Sequence, residues 1–354
     1  MGAGGDRRAD ASAIGGPRMK ALVTGANGFL GRSILRRLLR DGVQVRALVR
    51  PGRAIGLADV EVVEGDICDE AAVVAATRGV DWVIHAAARV ATAGSWEEFA
   101  EVNVRGTRRV IRCAVAANVQ CIVHISSLGV YAVPSDGVTI TEEAPYERES
   151  DARGGYSRSK LAADRVALDA ARRGAPVVVL RPGLLYGPGK RPPGARQGFG
   201  VAGIKLLLAT PHYTLPMAYV DNVADAVLLA VRCDAAVGQA FTVVDDNVRQ
   251  ADYLTLYKAA SGERWRSLFL PVGAVAAAAL VAERSLRMLR RRSPVTYHQV
   301  RRATQSALYD CSRAARVLGW RPKVGVAEGL RRTFASLQSP AGDTDAPALV
   351  SLAS

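Results

Sequence analysis

A tyrosine and a lysine near the middle of the sequence have the spacing of an acid/base pair. Tyr156 and Lys160 are four residues apart at the start of a predicted helix, so their side chains lie on one helical face. A free tyrosine has a pKa of about 10, a catalytic acid/base works nearer about 7, and an adjacent ammonium group favours the phenolate. The pair could therefore move a proton at neutral pH. A bare YxxxK pattern is also common on surface helices, but two serines, Ser126 and Ser127, end a predicted strand upstream.

A glycine-rich turn lies between the first predicted strand and the first predicted helix. Its glycines have the spacing that permits a tight turn, a close approach of the backbone to a pyrophosphate, and close packing of helix on strand. Free N–H groups at the start of the helix would face the anion. An ordinary flexible turn is the alternative, but the strand before and the helix after favour a dinucleotide. The predicted contacts are Gly25, Asn27, Gly28, Phe29, Leu30 and Gly31.

Charged residues at the ends of the second and third predicted strands bear on which dinucleotide binds. Folds that prefer NAD usually place an acid about twenty residues beyond the glycine turn, but here Val49 is followed by Arg50. Arg50 can pair with a 2′-phosphate, so NADP(H) is the preferred cofactor and NAD(H) the alternative. A solvated charge at the strand end is the other interpretation of Arg50. Asp66 could accept a hydrogen bond from an adenine amino group, or could cap the following helix.

The elements that must position these residues alternate along the chain. Nearly continuous apolar runs are typical of parallel strands that are covered on both faces. Such runs predict strands at 20–23, 43–49, 60–64, 82–85, 121–125 and 177–180. Helices are predicted between them, notably at 29–40, 96–117 and 156–173. This alternation predicts an α/β fold with a doubly wound parallel sheet, a Rossmann fold.

The pattern changes after Tyr186, where Gly, Pro and Arg become frequent, before a strand and a helix return around 219–231. We therefore predict a dinucleotide-binding domain and a smaller C-terminal substrate lobe. The predicted division is 19–186 with 218–248 for the first, and 187–217 with 249–338 for the second. Residues 1–18 and 339–354 are predicted to be a disordered leader and tail, with Met19 an alternative start, since the leader lacks the apolar core of a secretory signal.

The net charge and the spacing of the cysteines limit the kinds of ligand and partner that the chain is expected to bind. The net charge of +14 favours anionic partners, but no basic stretch is interleaved with aromatic residues, so we predict no nucleic-acid binding. The five cysteines are far apart and form no CxxC pair, which argues against a metal site and against a disulfide framework. A reducing, cytoplasmic location fits this cysteine usage best.

The chain resembles the extended short-chain dehydrogenase/reductases, a family of epimerases, dehydratases and oxidoreductases, from about Met19 to Phe334. Eight motifs in order carry the resemblance: TGANGFLG (24–31), EGDICD (64–69), HAAA (85–88), NVRGT (103–107), ISSLGVY (125–131), YSRSK (156–160), RPGLLYGPG (181–189) and YVDNVADA (219–226). The resemblance implies that Ser127, Tyr156 and Lys160 are the catalytic set. It also implies further cofactor contacts from Ile67, Ala86, Ala87, Asn103 and Pro182.

Positions where this chain differs from the family motifs reduce the number of reactions that the resemblance allows. Sugar 4,6-dehydratases carry an Asp-Glu pair directly after the catalytic serine or threonine, where this chain has Leu128 and Gly129. Nucleotide-sugar epimerases usually carry Arg-Asp-Phe just before the YVD element, where this chain has Leu-Pro-Met at 215–217. The tail is more similar to the 3β-hydroxysteroid and sterol-4-carboxylate 3-dehydrogenase branch, and the run at 45–52 resembles dihydroflavonol reductases.

These comparisons of motifs predict hydride transfer between NADP(H), or NAD(H), and a secondary alcohol or ketone on a small hydrophobic ring substrate such as a sterol, steroid or other isoprenoid. Ser127 would hydrogen-bond the substrate oxygen, Tyr156 would exchange its proton, and Lys160 would hold the nicotinamide ribose. A nucleotide-sugar epimerase and a non-catalytic dinucleotide-binding scaffold are the alternatives. A homodimer is left open.

One further segment suggests a membrane. An apolar run at 268–282 leads into a basic stretch that ends at Arg292. Because the run is shorter than the roughly twenty residues of a spanning helix, 268–292 could instead lie on the inner membrane face, with its arginines on anionic headgroups. The alternative is an alanine-rich helix packed in the second lobe with a solvated basic end.

Overall fold

The computed structural model describes residues 19–91, 94–148, 154–193, 198–201, 204–207, 211–288 and 306–338. The strands in this part of the chain are Lys20–Thr24 (β1), Gln44–Val49 (β2), Val60–Glu64 (β3), Trp82–His85 (β4), Cys121–Ile125 (β5), Val138–Ile140 (β6), Val177–Pro182 (β7), Leu184–Tyr186 (β8), Gly198–Val201 (β9), Ile204–Leu207 (β10), Thr214–Tyr219 (β11), Ala240–Val243 (β12), Asp246–Arg249 (β13), Arg266–Phe269 (β14) and Ala307–Tyr309 (β15).

The helices are Phe29–Arg40 (α1), Glu70–Thr77 (α2), Trp96–Phe99 (α3), Gly106–Ala116 (α4), Gly154–Arg172 (α5), Val220–Val231 (α6), Gln250–Ser261 (α7), Val272–Met288 (α8) and Val326–Gln338 (α9). Between α3 and α4 the chain does not leave the helical path, because Ala100–Arg105 form a wider π-helical turn. The helix predicted at 96–117 is therefore one helical segment with a π-helical turn inside it.

Seven strands form a parallel sheet in the order β12-β7-β5-β4-β1-β2-β3. The six predicted strands all lie in it, and the doubly wound fold is confirmed. Strands β4, β5 and β7 are buried along their whole length, as expected of parallel strands covered on both faces. The strand order reverses between β1 and β4, and such a switch point opens a crevice at the carboxyl ends of the strands.

Helices cover both faces of this sheet. On one face α1 and α6 pack through Ile34, Leu35 and Val227, and on the other face α2, α4 and α5 pack through residues such as Val110 and Ala167. The carboxyl ends of β1, β2, β4, β5 and β7 therefore share one edge of the sheet, between the two helical layers. The side chains that follow these strand ends are the ones that can meet.

Smaller sheets extend the molecule beyond β7. Strands β8, β11 and β13 form one, β9, β10 and β14 another, and β6 pairs with β15. A separate apolar core, rich in aromatic residues, lies between the first of these sheets and helices α7 and α9. Its largest members are Tyr186, Tyr219, Tyr253, Tyr257 and Phe334.

The segment before α9 returns to the seven-stranded sheet. Ala314, Leu318 and Trp320 are buried in the same core as α1 and α6. The Trp320 indole N–H donates to the backbone oxygen of Asn222 at 2.9 Å, and the Asn222 side-chain oxygen accepts from the backbone N–H groups of residues 323 and 324. This stretch, which the sequence assigned to the substrate lobe, thus fills part of the core beside the seven-stranded sheet.

Helix α8 lies at the surface. Ala276 and Ala279 are buried, whereas Val281 and Met288 are 65% and 88% exposed. None of the helices in the described ranges has both the length and the apolar composition to cross a bilayer. The predicted arginine cluster at 290–292 lies outside the described residues.

Candidate active site

The glycine turn packs against the segment that follows β4. Gly25 has φ +69°, and a Cβ atom there would lie 2.6 Å from the Ala87 nitrogen. A Cβ on Gly31 would lie 2.1 Å from the Gly25 oxygen, so a side chain at either position would displace backbone. The Gly28 N–H donates to the Gly25 oxygen at 3.0 Å and closes the turn. The glycines thus provide the tight turn and close helix packing that the sequence predicted.

The start of α1 fits an anion. Gly28 is the N-cap residue, no side chain caps the helix, and its first turn contains no acidic residue. The first N–H groups of an α-helix have no partner within the helix and carry the positive end of its dipole. The pyrophosphate of a dinucleotide fits this uncapped cradle of N–H groups by charge. Phe29, Leu30 and Gly31 would hold it through their N–H groups.

The ends of β2 and β3 meet beside this turn. The Gly65 N–H donates to the Val49 oxygen at 2.8 Å, which brings exposed Arg50 near Asp66 along the sheet edge. Asp66 accepts from the Cys68 N–H at 2.9 Å, whereas α2 is capped by Asp69. The helix-cap interpretation of Asp66 is therefore wrong. Its contact with adenine stays a prediction, as does the pairing of Arg50 with a 2′-phosphate.

Behind the turn, a buried chain of hydrogen bonds runs through His85. The Thr107 hydroxyl donates to the Asn103 backbone oxygen at 2.6 Å, so it must accept from His85 Nε2 at 2.9 Å. His85 Nδ1 then accepts from the Thr24 hydroxyl at 2.7 Å. Burial, together with the charge of Lys160, lowers the pKa of His85 to about 3, so the ring is neutral as this tautomer requires. The chain joins the ends of β1 and β4 to the π-helical turn, and sequence analysis missed it.

Asn103, in the π-helical turn, connects the segment after β4 to helix α5. Its side-chain oxygen accepts from the Arg89 N–H at 2.7 Å, and its amide group donates to the Arg89 oxygen and to Ser159 Oγ. Ser159 in turn donates to the Tyr156 backbone oxygen at 2.7 Å. Both amide hydrogens are thus used within the protein. Asn103 therefore links the segment after β4 to α5, and its predicted contact with the cofactor stays a prediction.

Tyr156 and Lys160 lie on α5, beside the carboxyl end of β5. Lys160 donates to the Ile125 backbone oxygen at 2.6 Å and is almost fully buried. Burial lowers the pKa of Lys160 to about 8, against the opposing charge of Asp164. Tyr156 keeps some exposed surface, but the surrounding protein raises its pKa to about 12. Burial is the cause of this rise in the protein alone, and the lowering expected from Lys160 together with a positively charged nicotinamide stays a prediction.

The two serines after β5 point to different partners. Ser126 is buried and donates to Asp164. Ser127 begins a 3₁₀ turn at Leu128–Val130, and its hydroxyl oxygen accepts from the Gly129 N–H at 3.1 Å. Because that bond uses a lone pair, the Ser127 hydrogen can point to a substrate oxygen. The catalytic role of Ser127 stays a prediction.

A buried ion pair that the sequence analysis did not predict lies next to Ser126. Arg181 and Asp164 are almost fully buried and form two hydrogen bonds, at 2.7 and 3.1 Å. Tyr146 also donates to Asp164 at 2.7 Å, and Arg181 donates to the Tyr131 hydroxyl at 2.9 Å. The pair joins α5 to β7, next to Pro182. Asp164 follows Lys160 by one helical turn, a signal that could have pointed to it.

Known proteins are similar to this chain over most of its length. The NAD dependent epimerase/dehydratase family matches residues 21–243. A 2-alkyl-3-oxoalkanoate reductase of Shewanella oneidensis is 30% identical over 90% of this chain and 86% of its own length. A sterol demethylase protein B of Methylococcus capsulatus is 29% identical over 86% of this chain and 94% of its own. Among solved structures, gox2253 is 26% identical, with a TM-score of 0.79 over 90% of this chain and 97% of that one.

Proposed function

Because this chain belongs to the NAD-dependent epimerase/dehydratase family, we propose that it catalyses reversible hydride transfer between a nicotinamide dinucleotide and a secondary alcohol or ketone of a hydrophobic ring substrate. The placement of Lys160 carries the proposal, because it fixes the helix that bears Tyr156 at the carboxyl end of β5, two residues before Ser127. A scaffold that only binds a dinucleotide needs neither this serine nor the phenol. The non-catalytic alternative is therefore less well supported.

In the proposed mechanism each residue has one task at the substrate oxygen. During reduction Tyr156 gives its proton to the ketone oxygen while Ser127 donates a hydrogen bond to the same atom, and during oxidation Tyr156 takes the proton back. The bound dinucleotide supplies or accepts the hydride. Lys160, which donates to the Ile125 oxygen, would supply a positive charge on the same face of α5 as the phenol and a donor for the ribose.

Two kinds of observation support the proposed substrate class: positions where this chain differs from the motifs of its family, and the substrates named for similar proteins. Leu128 is buried where sugar dehydratases need an acid, so this chain lacks the second acid/base pair of that chemistry. The sterol demethylase relative supports a ring substrate such as a sterol. The reductase from Shewanella favours a second candidate, an open-chain 2-alkyl-3-oxoalkanoate. Both candidates present a hydrophobic body and an oxygen on a secondary carbon.

We infer that NADP(H) is preferred over NAD(H). The support is the exposed Arg50 directly after β2, where folds that prefer NAD usually place an acid. A guanidinium at this position can form a charge-assisted pair with a 2′-phosphate.

The direct test is an absorbance assay of the nicotinamide with a 3-hydroxysteroid, a 2-alkyl-3-oxoalkanoate and a nucleotide sugar, each with both cofactors. Turnover of either hydrophobic substrate supports the proposal. Conversion of the nucleotide sugar to its epimer with no net change in nicotinamide absorbance would replace the proposal with the epimerase alternative. Tyr156→Phe, assayed in parallel, excludes a contaminating activity.

We also propose that helix α8 contacts a membrane surface, from which a hydrophobic substrate could enter. Its outward face carries Val281 and Met288, with Leu268 exposed on the preceding strand. Arg284 is exposed, and the sequence continues with arginines at 290–292. An apolar helix face next to a basic stretch fits an anionic lipid surface by charge and by hydrophobicity.

A further inference from the structure

A lysine outside the recognised motifs lies over the first residue of α1. Lys190 ends the turn that follows β8, and its N–H donates to the Gly187 oxygen at 3.2 Å. Its Nζ atom is 5.0 Å from the centre of the Phe29 ring. Phe29 is also the first residue of the helix whose N–H groups form the anion cradle. The Lys190 ammonium therefore lies against the side chain of the residue that begins the cradle helix, although about 160 residues separate the two in the sequence.

The turn that carries Lys190 is fixed in place. Gly187 packs against Val220, because a Cβ at Gly187 would lie 2.5 Å from Val220 Cγ1 and 3.5 Å from the Phe29 ring. The Gly189 N–H donates to Ser336 Oγ of α9 at 3.0 Å. Both contacts hold the backbone on either side of Pro188. Lys190 is thus presented to Phe29 by a braced turn.

The Lys190 charge lacks a counter-ion in the part of the chain that the structure describes. No carboxylate there comes within ion-pair distance of its Nζ. The side chain is largely surrounded by protein, and this burial lowers its pKa. The Phe29 ring offers only a partial, cation–π compensation. Lys190 and the uncapped N-terminus of α1 are two positive features joined through Phe29, and an anion bound to both would relieve the charge of each.

We propose that Lys190 binds a phosphate oxygen of the cofactor pyrophosphate, together with the N–H groups at the start of α1. The inference rests on the proposed function, since it needs a dinucleotide in this crevice. Lys190 would act as a binding residue and would not touch the reacting atoms. The same chemistry could be met by an anionic group of the substrate, and the test separates these two sources.

The test measures binding of ADP-ribose, which has the pyrophosphate but no nicotinamide, by calorimetry on the full chain. Lys190→Met should weaken ADP-ribose about ten- to a hundredfold, the range expected for loss of one charge-assisted hydrogen bond. Lys190→Arg should restore most of the affinity, and the wild-type affinity should fall more steeply with salt than that of Lys190→Met. Lys258→Met is the matched control, because its ammonium also lies over an aromatic ring, at 4.3 Å from Trp265.

The outcomes are distinguishable. If the wild-type chain does not bind ADP-ribose, the proposed function itself fails. If the wild type binds and Lys190→Met binds equally well, only the role of Lys190 is overturned. An unchanged ADP-ribose affinity together with a raised KM for the substrate would also overturn it, because the anion would then belong to the substrate. Circular dichroism and thermal melting of each variant show that a loss of binding is not a loss of folding.

Discussion

Tyr156 is surrounded by protein that disfavours its phenolate, although its proposed task is to form one. Burial raises its pKa to about 12, and the nearby Lys160 does not reverse this effect. A protonated Tyr156 is the form that reduction requires, and for oxidation a positively charged nicotinamide would favour the phenolate.

Replacing the phenol should abolish turnover while leaving the dinucleotide bound. In Tyr156→Phe we expect kcat to fall about a hundredfold or more, because the general acid is removed, with ADP-ribose affinity nearly unchanged. Steady-state kinetics and calorimetry measure the two quantities. Activity within a few-fold of wild type would show that another group transfers the proton.

The cofactor preference is tested at Arg50. Arg50→Asp removes the proposed ion pair and adds repulsion, so NADPH should bind at least about thirtyfold more weakly, while NADH changes little. Fluorescence titration with each cofactor measures the ratio. Arg53→Asp, three residues on, shows how much of the effect is general charge. Equal weakening of NADPH and NADH by Arg50→Asp would remove its discriminating role.

The buried lysine makes stability depend on pH. The pKa of Lys160 is lowered to about 8, whereas an unfolded lysine titrates at about 10.4. Between these values the unfolded chain binds more protons than the folded chain, so the stability of the folded state rises with pH. Lys160→Met lacks this contribution. The free energy of unfolding of the wild type, relative to Lys160→Met, should therefore increase from about pH 8 to about pH 10.4 in urea titrations. A difference that stays constant over this range would contradict the lowered pKa.

The sequence pointed to candidate reacting groups, but it gave little sign of the residues that support them. Tyr156 and Lys160 are close to each other in sequence, and so are the glycines of the turn, so spacing alone places each set on one element. The Asp164–Arg181 pair and the His85–Thr107 bond join residues from different strands and helices, which only the three-dimensional arrangement brings into contact. At Asp66 a local pattern offered two candidates for one role. Asp66 and Asp69 both precede α2, and it is Asp69 that caps the helix.

At the scale of the elements, helix α5 must stay fixed against β5 and β7. The buried ion pair between Asp164 of α5 and Arg181 of β7 contributes to holding it there. Asp164→Ala would leave Arg181 as an uncompensated buried charge, and we expect a loss of about 3–5 kcal/mol in unfolding free energy. Asp164→Ala combined with Arg181→Met should recover part of the loss. Chemical denaturation measures both.

An exposed pair provides the control for that experiment. Glu328 binds Arg331 and Arg332 on the outer face of α9, so Glu328→Ala breaks comparable bonds in water. Its effect should be far smaller, because solvent screens both charges. If Asp164→Ala were no more destabilising than Glu328→Ala, the buried pair would not hold α5 in place.

Secondary structure that a local sequence pattern specifies was predicted, whereas secondary structure that depends on more distant pairing was missed. The six predicted strands were found because unbroken apolar runs mark buried parallel strands. Strand β12, four residues long, was missed because so short a run carries little pattern, and its place in the sheet comes from pairing with β7. The π-helical turn at Ala100–Arg105 was missed because a helical periodicity does not show one extra residue.

At the scale of the whole molecule, the proposed membrane contact can be tested by sedimentation with liposomes. Protein should pellet with anionic vesicles at low salt and be released by high salt, since each arginine near the surface contributes about 1 kcal/mol. Changing Arg290, Arg291 and Arg292 to Ser should reduce pelleting, and so should Val281→Glu on the exposed face of α8.

Another exposed helical valine provides the control. Val74 lies on α2 and is 43% exposed, so Val74→Glu adds the same charge at a different surface. It should leave pelleting nearly unchanged. If the wild type stays in the supernatant even at low salt, α8 does not bind anionic lipid.

The return of Ala314, Leu318 and Trp320 to the first core sets an order of events during synthesis. β12 ends at Val243, but the chain that fills the core beside α6 ends at Val324, roughly eighty residues later. At about 5–20 residues per second, a ribosome needs about 4–16 s to make that stretch. Throughout this interval the nascent α6 presents apolar surface that is covered only when Ala314, Leu318 and Trp320 have been made. The core beside the seven-stranded sheet, although nearly all of it is made first, is therefore among the last parts of the molecule to finish folding.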